Sequence, residues 1–508
     1  MLKYVLLLFA CCFLHTLSAQ PTYPKCYYDC KWMMGYDTDA LDFMGCGSLF
    51  DFSDTVVSVS TADKYMYMNF TNASICDESG NLQFYTNGCY IAGADHQVLE
   101  NGSDLNPVIG GGCNNDFPFF GTGYKGQQGT VILPYPGHPK QYMLIHKKLK
   151  TVPNVDFQYN CQGLYISVID MNLNGGKGAV TVKNSLIDAD SLTFGQFTAT
   201  KHANGRDWWL LSARLASKKI VRYLLSPAGL NRVGTQTAMG SDIAIDDNFG
   251  QTVFSPDGSK YIRFNYEGLN ILNFNRCTGM LSNRVTFPLH GLGDTILASG
   301  TGVSPNSRFL YISIGRKIYQ FDLQASNIQA SKTLVAVQKY PTLNFYQMQL
   351  APDGKIYVIT LNMTNEIHTI ESPNLKDTLC DVRQKSMVLP CKNGYSLPNL
   401  PNFRLGRLVG SSCDSLATAI AEVEQMKELR VYPNPASDEL TIELPPNLQN
   451  SKLTLRLHNQ LGQTVHSQAW REESNTQTIS VASLPSGFYV VSVSNGAETW
   501  YQKVIVQR

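Results

Sequence analysis

The residues best placed to do chemistry are one histidine and two aspartates in the middle of the chain. His202 stands just before an Asn-Gly turn, and Asp242 and Asp246 belong to an acidic cluster ahead of a predicted strand at Phe254. Carboxylates that meet a histidine in one funnel could hold sugar hydroxyls or a metal, or act as general acid and base. These three are the candidate binding residues. The alternatives are that His202 only packs in the core and that the aspartates lie in a solvated loop. For each residue this alternative is favoured over a binding role.

A second group of oxygen ligands matches the first half of a calcium-binding loop. Asp170, Asn172 and Asn174 alternate along the chain, so their side-chain oxygens could face one cation. The twelfth position of such a loop needs a bidentate Glu, and Thr181 stands there instead. A plain hairpin turn is therefore the favoured interpretation, calcium is the alternative, and no other cofactor is expected.

The motifs of common catalytic centres are missing from the sequence. It contains no Gly-x-Ser-x-Gly nucleophile elbow, no His-Glu-x-x-His zinc motif and no phosphate-binding Gly-x-x-x-x-Gly-Lys-Ser/Thr loop. We therefore assign no catalytic residue and no metal ligand. Whether the protein is an enzyme stays open, with a binding protein favoured.

The cysteine content indicates an oxidising compartment. Thirteen cysteines are present, and an exported chain with so many is expected to form disulfides. Two pairs are close enough in sequence to staple local hairpins or loops, namely Cys76 with Cys89 and Cys380 with Cys391. Two further cysteines lie in the N-terminal leader, which leaves an odd number, so at least one thiol is free. Cys277 is the expected free and buried one.

Composition places the chain among folded, exported proteins. The 508 residues are 43% hydrophobic and 16% charged, which fits two or three folded domains. Lys and Arg (41) balance Asp and Glu (40), so the chain lacks the broad basic face that binds nucleic acid or anionic lipid.

Residues 1–19 have the layout of a secretory signal peptide. A single Lys3 precedes an apolar run, and small and polar residues follow it, so cleavage is expected between Ala19 and Gln20. A lipoprotein modified at Cys11 is the alternative. The run falls short of the ~20 residues of a membrane span, and the mature chain is expected to contain no transmembrane segment.

A repeated motif organises the middle of the chain. Phe254-Ser-Pro-Asp-Gly recurs as Val303-Ser-Pro-Asn-Ser and as Leu350-Ala-Pro-Asp-Gly, at spacings of 49 and 47 residues. Each copy is a strand end, a tight turn and a second strand, and the repeat has the length of one propeller blade. Fainter copies lie upstream, so that six units can be counted and a seventh could be assembled from both chain ends. We expect an all-β fold with a β-propeller of about seven blades over residues 20–406, including a Cys-rich N-terminal segment.

The last part of the chain, residues 429–508, alternates apolar and polar residues with turns at short intervals. This pattern predicts a small, immunoglobulin-like antiparallel β-sandwich. The segment resembles the type A C-terminal sorting domain of the type IX secretion system of Bacteroidota. The resemblance is carried by a Tyr-Pro-Asn-Pro opening, by a Leu-Pro-Ser-Gly-Phe-Tyr stretch and by a lysine in the last strand. The corresponding sorting-signal residues are Pro433, Asn434, Pro435, Gly487, Tyr489 and Lys503.

The resemblance implies a route of export and a set of partners. Such a domain engages the type IX secretion machinery and is usually removed by a sortase, which releases the cargo or attaches it to surface lipopolysaccharide. The protein is thus expected to be secreted or held at the outer cell surface. Residues 407–428 read as an exposed linker, where the cut is expected. The middle region resembles uncharacterised propeller-like regions of other Bacteroidota surface proteins, and this resemblance carries no activity.

Three functions remain open from sequence. The favoured one is a surface or secreted propeller that binds polysaccharide, peptide or another surface protein. The second is a propeller hydrolase or lyase acting on polysaccharide, and the third is a structural protein of adhesion or gliding. A propeller fold by itself does not choose between them.

Overall fold

A computed structural model describes residues 26–35, 45–64, 66–106, 113, 123–151, 159–193, 195–240, 250–265, 268–288, 299–414, 429–444, 453–459, 463–470, 474–494 and 499–507. The chain divides into two compact units, residues 1–415 and 416–508. The described residues contain no helix with the length and hydropathy that a transmembrane span needs.

Over the described residues, the first unit contains seven antiparallel sheets. Two have three strands: β1 (Lys31–Met34), β2 (Gly45–Asp51) and β3 (Ser58–Lys64); then β4 (Ala73–Cys76), β5 (Leu82–Thr86) and β6 (Ile91–Gly93). The next two are β7 (Thr130–Pro134), β8 (Gln141–Thr151), β9 (Tyr159–Asp170), β10 (Ala179–Asp188); and β11 (Thr198–Lys201), β12 (Trp208–Ala213), β13 (Lys219–Ser226), β14 (Gly229–Thr237).

The remaining three sheets of this unit each have four strands in sequence order. They are β15 (Gly250–Phe254), β16 (Lys260–Asn265), β17 (Gly268–Phe274), β18 (Leu281–Pro288); β19 (Ser299–Val303), β20 (Phe309–Ile314), β21 (Lys317–Asp322), β22 (Thr333–Val337); and β23 (Phe345–Leu350), β24 (Ile356–Thr360), β25 (Glu366–Ile370), β26 (Val382–Val388). Short 3-10 helices occupy Asn174–Gly176, Gln329–Ser331 and Asp377–Cys380.

The three copies of the sequence motif form the first hairpin of the last three sheets. In the copy between β15 and β16, the Ser255 hydroxyl donates to Asp257 Oδ1 at 2.5 Å, and the Ser259 amide donates to the same oxygen at 3.0 Å. Gly258 has a φ of +71°, which only glycine adopts freely. The motif thus specifies a tight turn between two strands. The fainter upstream copies coincide with the hairpins β4–β5, β7–β8 and β11–β12.

The seventh sheet differs from its expected composition. The sequence left open a seventh unit assembled from both chain ends, but β1, β2 and β3 all come from the N-terminal part of the chain. The C-terminal part takes another path. Residues 393–404, called the crossing segment below, pass along the first strands of the sheets without joining one of them.

Hydrogen bonds hold the crossing segment to distant parts of the unit. The Tyr395 amide donates to the carbonyl of Asn69 at 2.7 Å, and the Asn399 amide donates to that of Asn72 at 3.0 Å. The Asn399 side-chain nitrogen also donates to the carbonyls of Thr130 and Phe197, at 2.7 and 2.8 Å. The crossing segment therefore satisfies backbone carbonyls at or just before the starts of β4, β7 and β11.

Glutamine side chains also join the first strands of neighbouring sheets by hydrogen bonds. Gln251 Oε1 accepts the amides of Thr301 and Met348, both at 3.0 Å, so one side chain joins β15, β19 and β23. The hydrophobic cores lie between the sheets. Trp208 and Trp209 are both buried, but Trp208 packs against Phe403 and Trp209 against Phe274, which confirms that they face opposite sides of β12.

Over its described residues, the second unit has two antiparallel sheets. The first holds β27 (Arg430–Tyr432), β28 (Glu439–Glu443) and β31 (Thr476–Ser480). The second, in spatial order β30-β29-β32-β33, holds β29 (Thr454–His458), β30 (Thr464–Ala469), β32 (Gly487–Ser494) and β33 (Thr499–Val506). Leu440 and Ile479 of one sheet share a core with Leu455, Val491 and Val504 of the other.

The expected local disulfides are wrong. The described chain pairs Cys26 with Cys30, Cys46 with Cys391 and Cys89 with Cys113, whereas Cys76 and Cys380 are buried thiols. Strand register explains both errors. Cys76 pairs with Leu82 beside the β4–β5 turn, while Cys89 lies beyond the open end of that hairpin. Cys380 and Cys391 flank the whole of β26. At about 3.3 Å per residue, both separations exceed the reach of a disulfide.

Candidate functional site

A cavity of about 280 Å³ opens where the first strands of four sheets end. Its wall combines residues 198–200 of β11 and the last residues of β15, β19 and β23 with residues 399–402 and 404 of the crossing segment. Its rim is made of the turns that carry the repeated motif and includes Pro256, Pro305 and Pro352. The repeat visible in the sequence therefore builds the mouth of this cavity.

An ion pair between the two ends of the first unit lies in the wall. Arg404 Nη1 is 2.5 Å from Asp29 Oδ2, and Nη2 is 2.7 Å from Oδ1, which is a two-point contact. Only 10% of the Asp29 side chain and 23% of the Arg404 side chain are exposed. No other ionisable side chain occurs among the described residues of the lining. Because the two charges neutralise each other, the wall carries no net charge.

Amide side chains in the wall are used to fix the crossing segment. Asn402 Nδ2 donates to the carbonyl of Pro256 at 2.7 Å, and Gln349 Nε2 donates to the carbonyl of Leu400 at 3.2 Å. The wall also carries the hydroxyls of Thr198 and Thr200, which can both donate and accept hydrogen bonds. The cavity is thus uncharged, polar and anchored on several sheets.

His202 lies at the end of β11 and does not line this cavity. Its Nδ1 accepts the Asn204 amide at 3.0 Å, so that Nε2 carries the proton and donates to the carbonyl of Cys277 at 3.1 Å. Both ring nitrogens are therefore occupied within the fold. The residue is buried, and its imidazole also contacts Trp209.

Asp242 and Asp246 lie outside the described residues. The described chain resumes at Gly250, where β15 begins, whereas His202 belongs to the turn that follows β11 and contacts the turn after β17.

The sequence around Asp170 forms a hairpin turn, as favoured. Asp170 ends β9 and pairs with Ala179, the first residue of β10. Its Oδ1 accepts the amide and the side-chain nitrogen of Asn172, and its Oδ2 accepts from Gln141 Nε2 at 2.9 Å. Asn174 begins a 3-10 turn with a φ of +51°. The carboxylate of Asp170 and the side chain of Asn172 are thus used in hydrogen bonds within the hairpin.

The sorting-signal residues cluster along one strand of the second unit. Asn434 Nδ2 donates to the carbonyl of Lys503 at 3.0 Å, and Asn434 Oδ1 accepts the Ile505 amide at 2.9 Å. The Lys503 ammonium stands 4.2 Å from the centre of the Phe488 ring. Gly487 pairs with Val506, and the Tyr489 hydroxyl donates to the carbonyl of Pro485. Asn434, between Pro433 and Pro435, therefore ties the opening motif to the last strand.

Sequence reasoning missed the two charged residues of the cavity. Asp29 stands in the Cys-rich segment and Arg404 in the crossing segment, and neither belongs to the repeat. The clustering of Asn and Pro between residues 393 and 402 was a usable signal. Side-chain amides and proline are typical of irregular backbone that must be satisfied without a sheet partner.

Comparison with solved structures returns propeller-like chains of low identity. A protein from Lactobacillus plantarum is 14% identical, with 73% of this chain and 99% of that chain covered and a TM-score of 0.43. A putative 6-phosphogluconolactonase from Bacteroides uniformis is 13% identical, at 72% and 98% coverage and a TM-score of 0.40. The β-propeller domain of a Myceliophthora thermophila protein, Swd1, is 8% identical, at 63% and 88% coverage and a TM-score of 0.36. At these values the likeness says nothing of activity.

Comparison with curated proteins returns no match for the chain. Comparison with family models gives one, the secretion system C-terminal sorting domain, over residues 430–507. The match covers the second unit, in which Asn434 ties the opening motif to the last strand. The chain thus carries a type IX C-terminal sorting domain over residues 430–507, and it is secreted or attached to the outer cell surface.

Proposed function

We propose that the protein is type IX cargo whose first unit is a seven-bladed β-propeller that binds a small, uncharged polar ligand in its central cavity. Adjacent first strands support the ring: β1 contacts β4, which contacts β7, and β11, β15, β19 and β23 follow one another. Tyr357 of the last sheet packs against Trp32 of the first at 5.5 Å. A closed ring protects sheet edges. We also propose that the two sheets of the sorting domain form an immunoglobulin-like sandwich, because their side chains share one hydrophobic core.

The single observation that carries the binding proposal is the charge of the cavity wall. Asp29 and Arg404 form an ion pair with each other, and the remaining described lining residues are uncharged. An anionic or cationic ligand would lose its hydration there without gaining an opposite charge. Hydroxyl and amide groups of a ligand would instead meet threonine hydroxyls and peptide groups. Neutral sugars and capped peptide ends have this chemistry.

The size of the cavity limits the ligand further. A volume of about 280 Å³ lies at the lower end of the range for small-molecule sites. It accommodates one sugar ring or one amino-acid residue, and the crossing segment forms part of its wall. A long polymer would therefore enter by its end, from the side of the repeated turns. We propose that the natural ligand is the terminus of a glycan or of a peptide.

Hydrolysis of a polysaccharide is less well supported. A glycosidase needs two carboxyl groups on either side of the bond that is cut. The described lining offers one carboxylate, Asp29, which is held by Arg404. His202 does not line this cavity, so any part that it has in binding lies elsewhere; Asp242 and Asp246 lie outside the described residues. A structural role in adhesion or gliding is the second candidate, because the amides of Gln128 and Asn399 are already bonded within the chain.

The same proposal includes the processing of the chain. We propose that a signal peptide is removed after Ala19 and that a sortase cuts within residues 407–428, which releases the propeller or attaches it to surface lipopolysaccharide. This part is supported by the sorting domain at residues 430–507. Mass spectrometry of the mature N- and C-termini tests it, and a mature chain that retains residues 430–507 contradicts the cut.

Thermal unfolding of the exported chain tests the binding proposal. The panel contains neutral oligosaccharides, their uronic-acid analogues, and peptides with capped and free ends. A ligand at 100 times its dissociation constant stabilises the fold by about 2.7 kcal/mol. We expect stabilisation by a neutral sugar or capped peptide, and weaker or no stabilisation by its charged analogue. Stabilisation by charged ligands alone contradicts the proposal, and silence across the panel favours the structural role.

A further inference from the structure

Two half-exposed cysteines stand outside the three disulfides. Among the described cysteines, Cys76, Cys161 and Cys380 are buried thiols, whereas Cys277 and Cys413 are partly open to solvent. Cys277 was expected to be buried and unpaired, and the first half of that expectation is wrong. Cys413 lies near it in the fold, because Ser412, the residue before Cys413, contacts the Cys277 sulfur. The Ser412 hydroxyl lies 3.8 Å from the same Cys277 sulfur.

The chain around Cys413 is held in place independently of its sulfur. Residues 405–414, called the strap, follow the crossing segment. The Leu408 amide donates to the carbonyl of Ala203 at 2.8 Å, and Arg276 Nη2 donates to the carbonyl of Gly406 at 2.5 Å. The Ser411 amide donates to the carbonyl of Leu408, and the Asp414 amide to that of Ser411. These bonds fold the end of the strap into turns that present Cys413 to the first unit.

Cys277 is fixed from the other side. Its amide donates to Asn275 Oδ1 at 2.9 Å, in the turn between β17 and β18. Its carbonyl accepts the proton of His202 Nε2 at 3.1 Å. Hydrogen bonds to the backbone therefore position both cysteines before any covalent bond forms. Such preorganisation favours a disulfide, because little further chain entropy is lost on bond formation.

We propose that Cys277 and Cys413 form a fourth disulfide, which locks the strap onto the first unit of the exported protein. The bond forms by exchange with the disulfide of a thiol oxidoreductase. The Cys277 thiolate attacks one sulfur of that disulfide, which breaks the S–S bond and forms a mixed disulfide. The Cys413 thiolate then attacks the Cys277 sulfur, and the thiolate of the oxidoreductase leaves. The oxidoreductase accepts two electrons and takes up the two protons that the two cysteines release, so that it leaves as a dithiol.

The lock has a consequence for the cavity. The strap continues directly from Arg404, and Arg404 holds Asp29 in the cavity wall. The chain that leads on to the sorting domain begins beyond Asp414. After a cut in the linker beyond Asp414, the proposed disulfide would therefore still hold the strap to the first unit. The crossing segment, which leads into the strap, would stay in the cavity wall.

Peptide mapping of the exported, unreduced protein tests the disulfide. The denatured protein is alkylated before and after reduction, and peptides containing Cys277 and Cys413 are followed, with Cys46–Cys391 as the positive control and Cys161 as the thiol control. We expect one linked peptide, lighter by about 2 Da than its two thiol halves. Neither cysteine should be alkylated before reduction. Alkylation of both in the unreduced protein, while Cys46 and Cys391 stay protected, overturns the proposal.

Single substitutions give a second measurement that does not depend on detecting the linked peptide. In Cys277→Ser the Cys413 thiol should become alkylatable in the unreduced protein, and in Cys413→Ser the Cys277 thiol should do so. Cys161→Ala serves as the matched control and should leave both protected. If the partner thiol stays protected in both variants, each cysteine pairs elsewhere and the proposal fails.

Discussion

Arg404 and Asp29 are joined by two hydrogen bonds of 2.5 and 2.7 Å although 375 positions separate them in sequence. Asp29 belongs to the Cys-rich N-terminal segment, and Arg404 ends the crossing segment that runs past the first strands. This one pair therefore connects the beginning and the end of the first unit, and it lies in the wall of its central cavity.

Removing one partner of this pair is expected to destabilise the first unit. In Asp29→Asn the Arg404 charge loses its counter-ion in a mostly buried site, and a loss of about 2–4 kcal/mol of unfolding free energy is expected. Arg308→Gln is the matched control, because the side chain of Arg308 is 44% exposed in its pair with Asp322. It should cost clearly less than Asp29→Asn, because solvent screens this pair. Urea unfolding measures both, and equal losses would contradict the role given to Arg404.

A buried histidine is expected to make the first unit acid-sensitive. Burial lowers the pKa of His368 to about 4, while the unfolded chain has a value near 6.5. Between these values the unfolded state binds more protons, so stability is present above pH 6.5 and is lost as pH falls towards 4. The loss approaches about 3 kcal/mol.

The variant His368→Asn isolates this effect. The Asn oxygen can accept the Lys385 amide as His368 Nδ1 does, but it does not titrate. Urea unfolding at pH 7.5 and 4.5 should show a smaller acid loss in the variant than in the wild-type chain. An unchanged loss would show that His368 does not carry the acid sensitivity.

Lys147 is expected to make the stability of the first unit depend on pH above pH 7. It is fully buried, and its ammonium donates to the carbonyls of Thr193 and Gly195 at 2.7 and 2.8 Å. Burial lowers the pKa of Lys147 from 10.5 to about 7. The unfolded state therefore binds more protons between pH 7 and 10.5, and this contribution to stability grows as pH rises.

Comparison with Lys147→Met measures this pH-dependent contribution to the free energy of unfolding. The variant loses two hydrogen bonds and does not titrate, so the wild-type chain should gain stability over it by about 2 kcal/mol between pH 7 and 9. The measured quantity is the difference in unfolding free energy at each pH. A constant difference would mean that Lys147 stays charged in the folded state over this range.

In the sorting domain, Asn434 is expected to matter through two hydrogen bonds to β33. Asn434→Ala removes the bonds to the Lys503 carbonyl and the Ile505 amide, and should cost the domain about 1–2 kcal/mol. Asn434→Asp keeps only the acceptor and should be intermediate. Gln463→Ala, in an exposed turn, is the control. The amount of exported protein should fall in the order wild type, Asp, Ala, and normal export of the Ala variant would contradict this role.

Prediction from sequence worked where the physics is local. The Ser255-Pro-Asp-Gly turn and its copies are specified by residues within one hairpin, and their positions were confirmed. The wall of the cavity was not predictable in this way, because Asn399 binds Thr130 and Phe197 through contacts of long sequence separation. The predicted disulfides were wrong for the same reason, because Cys46 pairs with Cys391, which lies 345 positions away in sequence.

Calorimetric titration with the best neutral ligand of the panel tests the central claim most directly, using two glycine variants. Gly354 has a φ of +81° and lies on the cavity rim, where an added Cβ would meet only Pro305 at 4.0 Å. Gly315 also has a positive φ, and lies in the turn between β20 and β21, away from the cavity. Asparagine tolerates this conformation, so both variants should fold.

Gly354→Asn places a side chain at the mouth of the cavity and should weaken binding at least about tenfold, a loss of about 1.4 kcal/mol. Gly315→Asn should bind as the wild-type chain does. This result would place the ligand in the central cavity of the first unit. Equal affinity in all three proteins would contradict the account and place the ligand elsewhere.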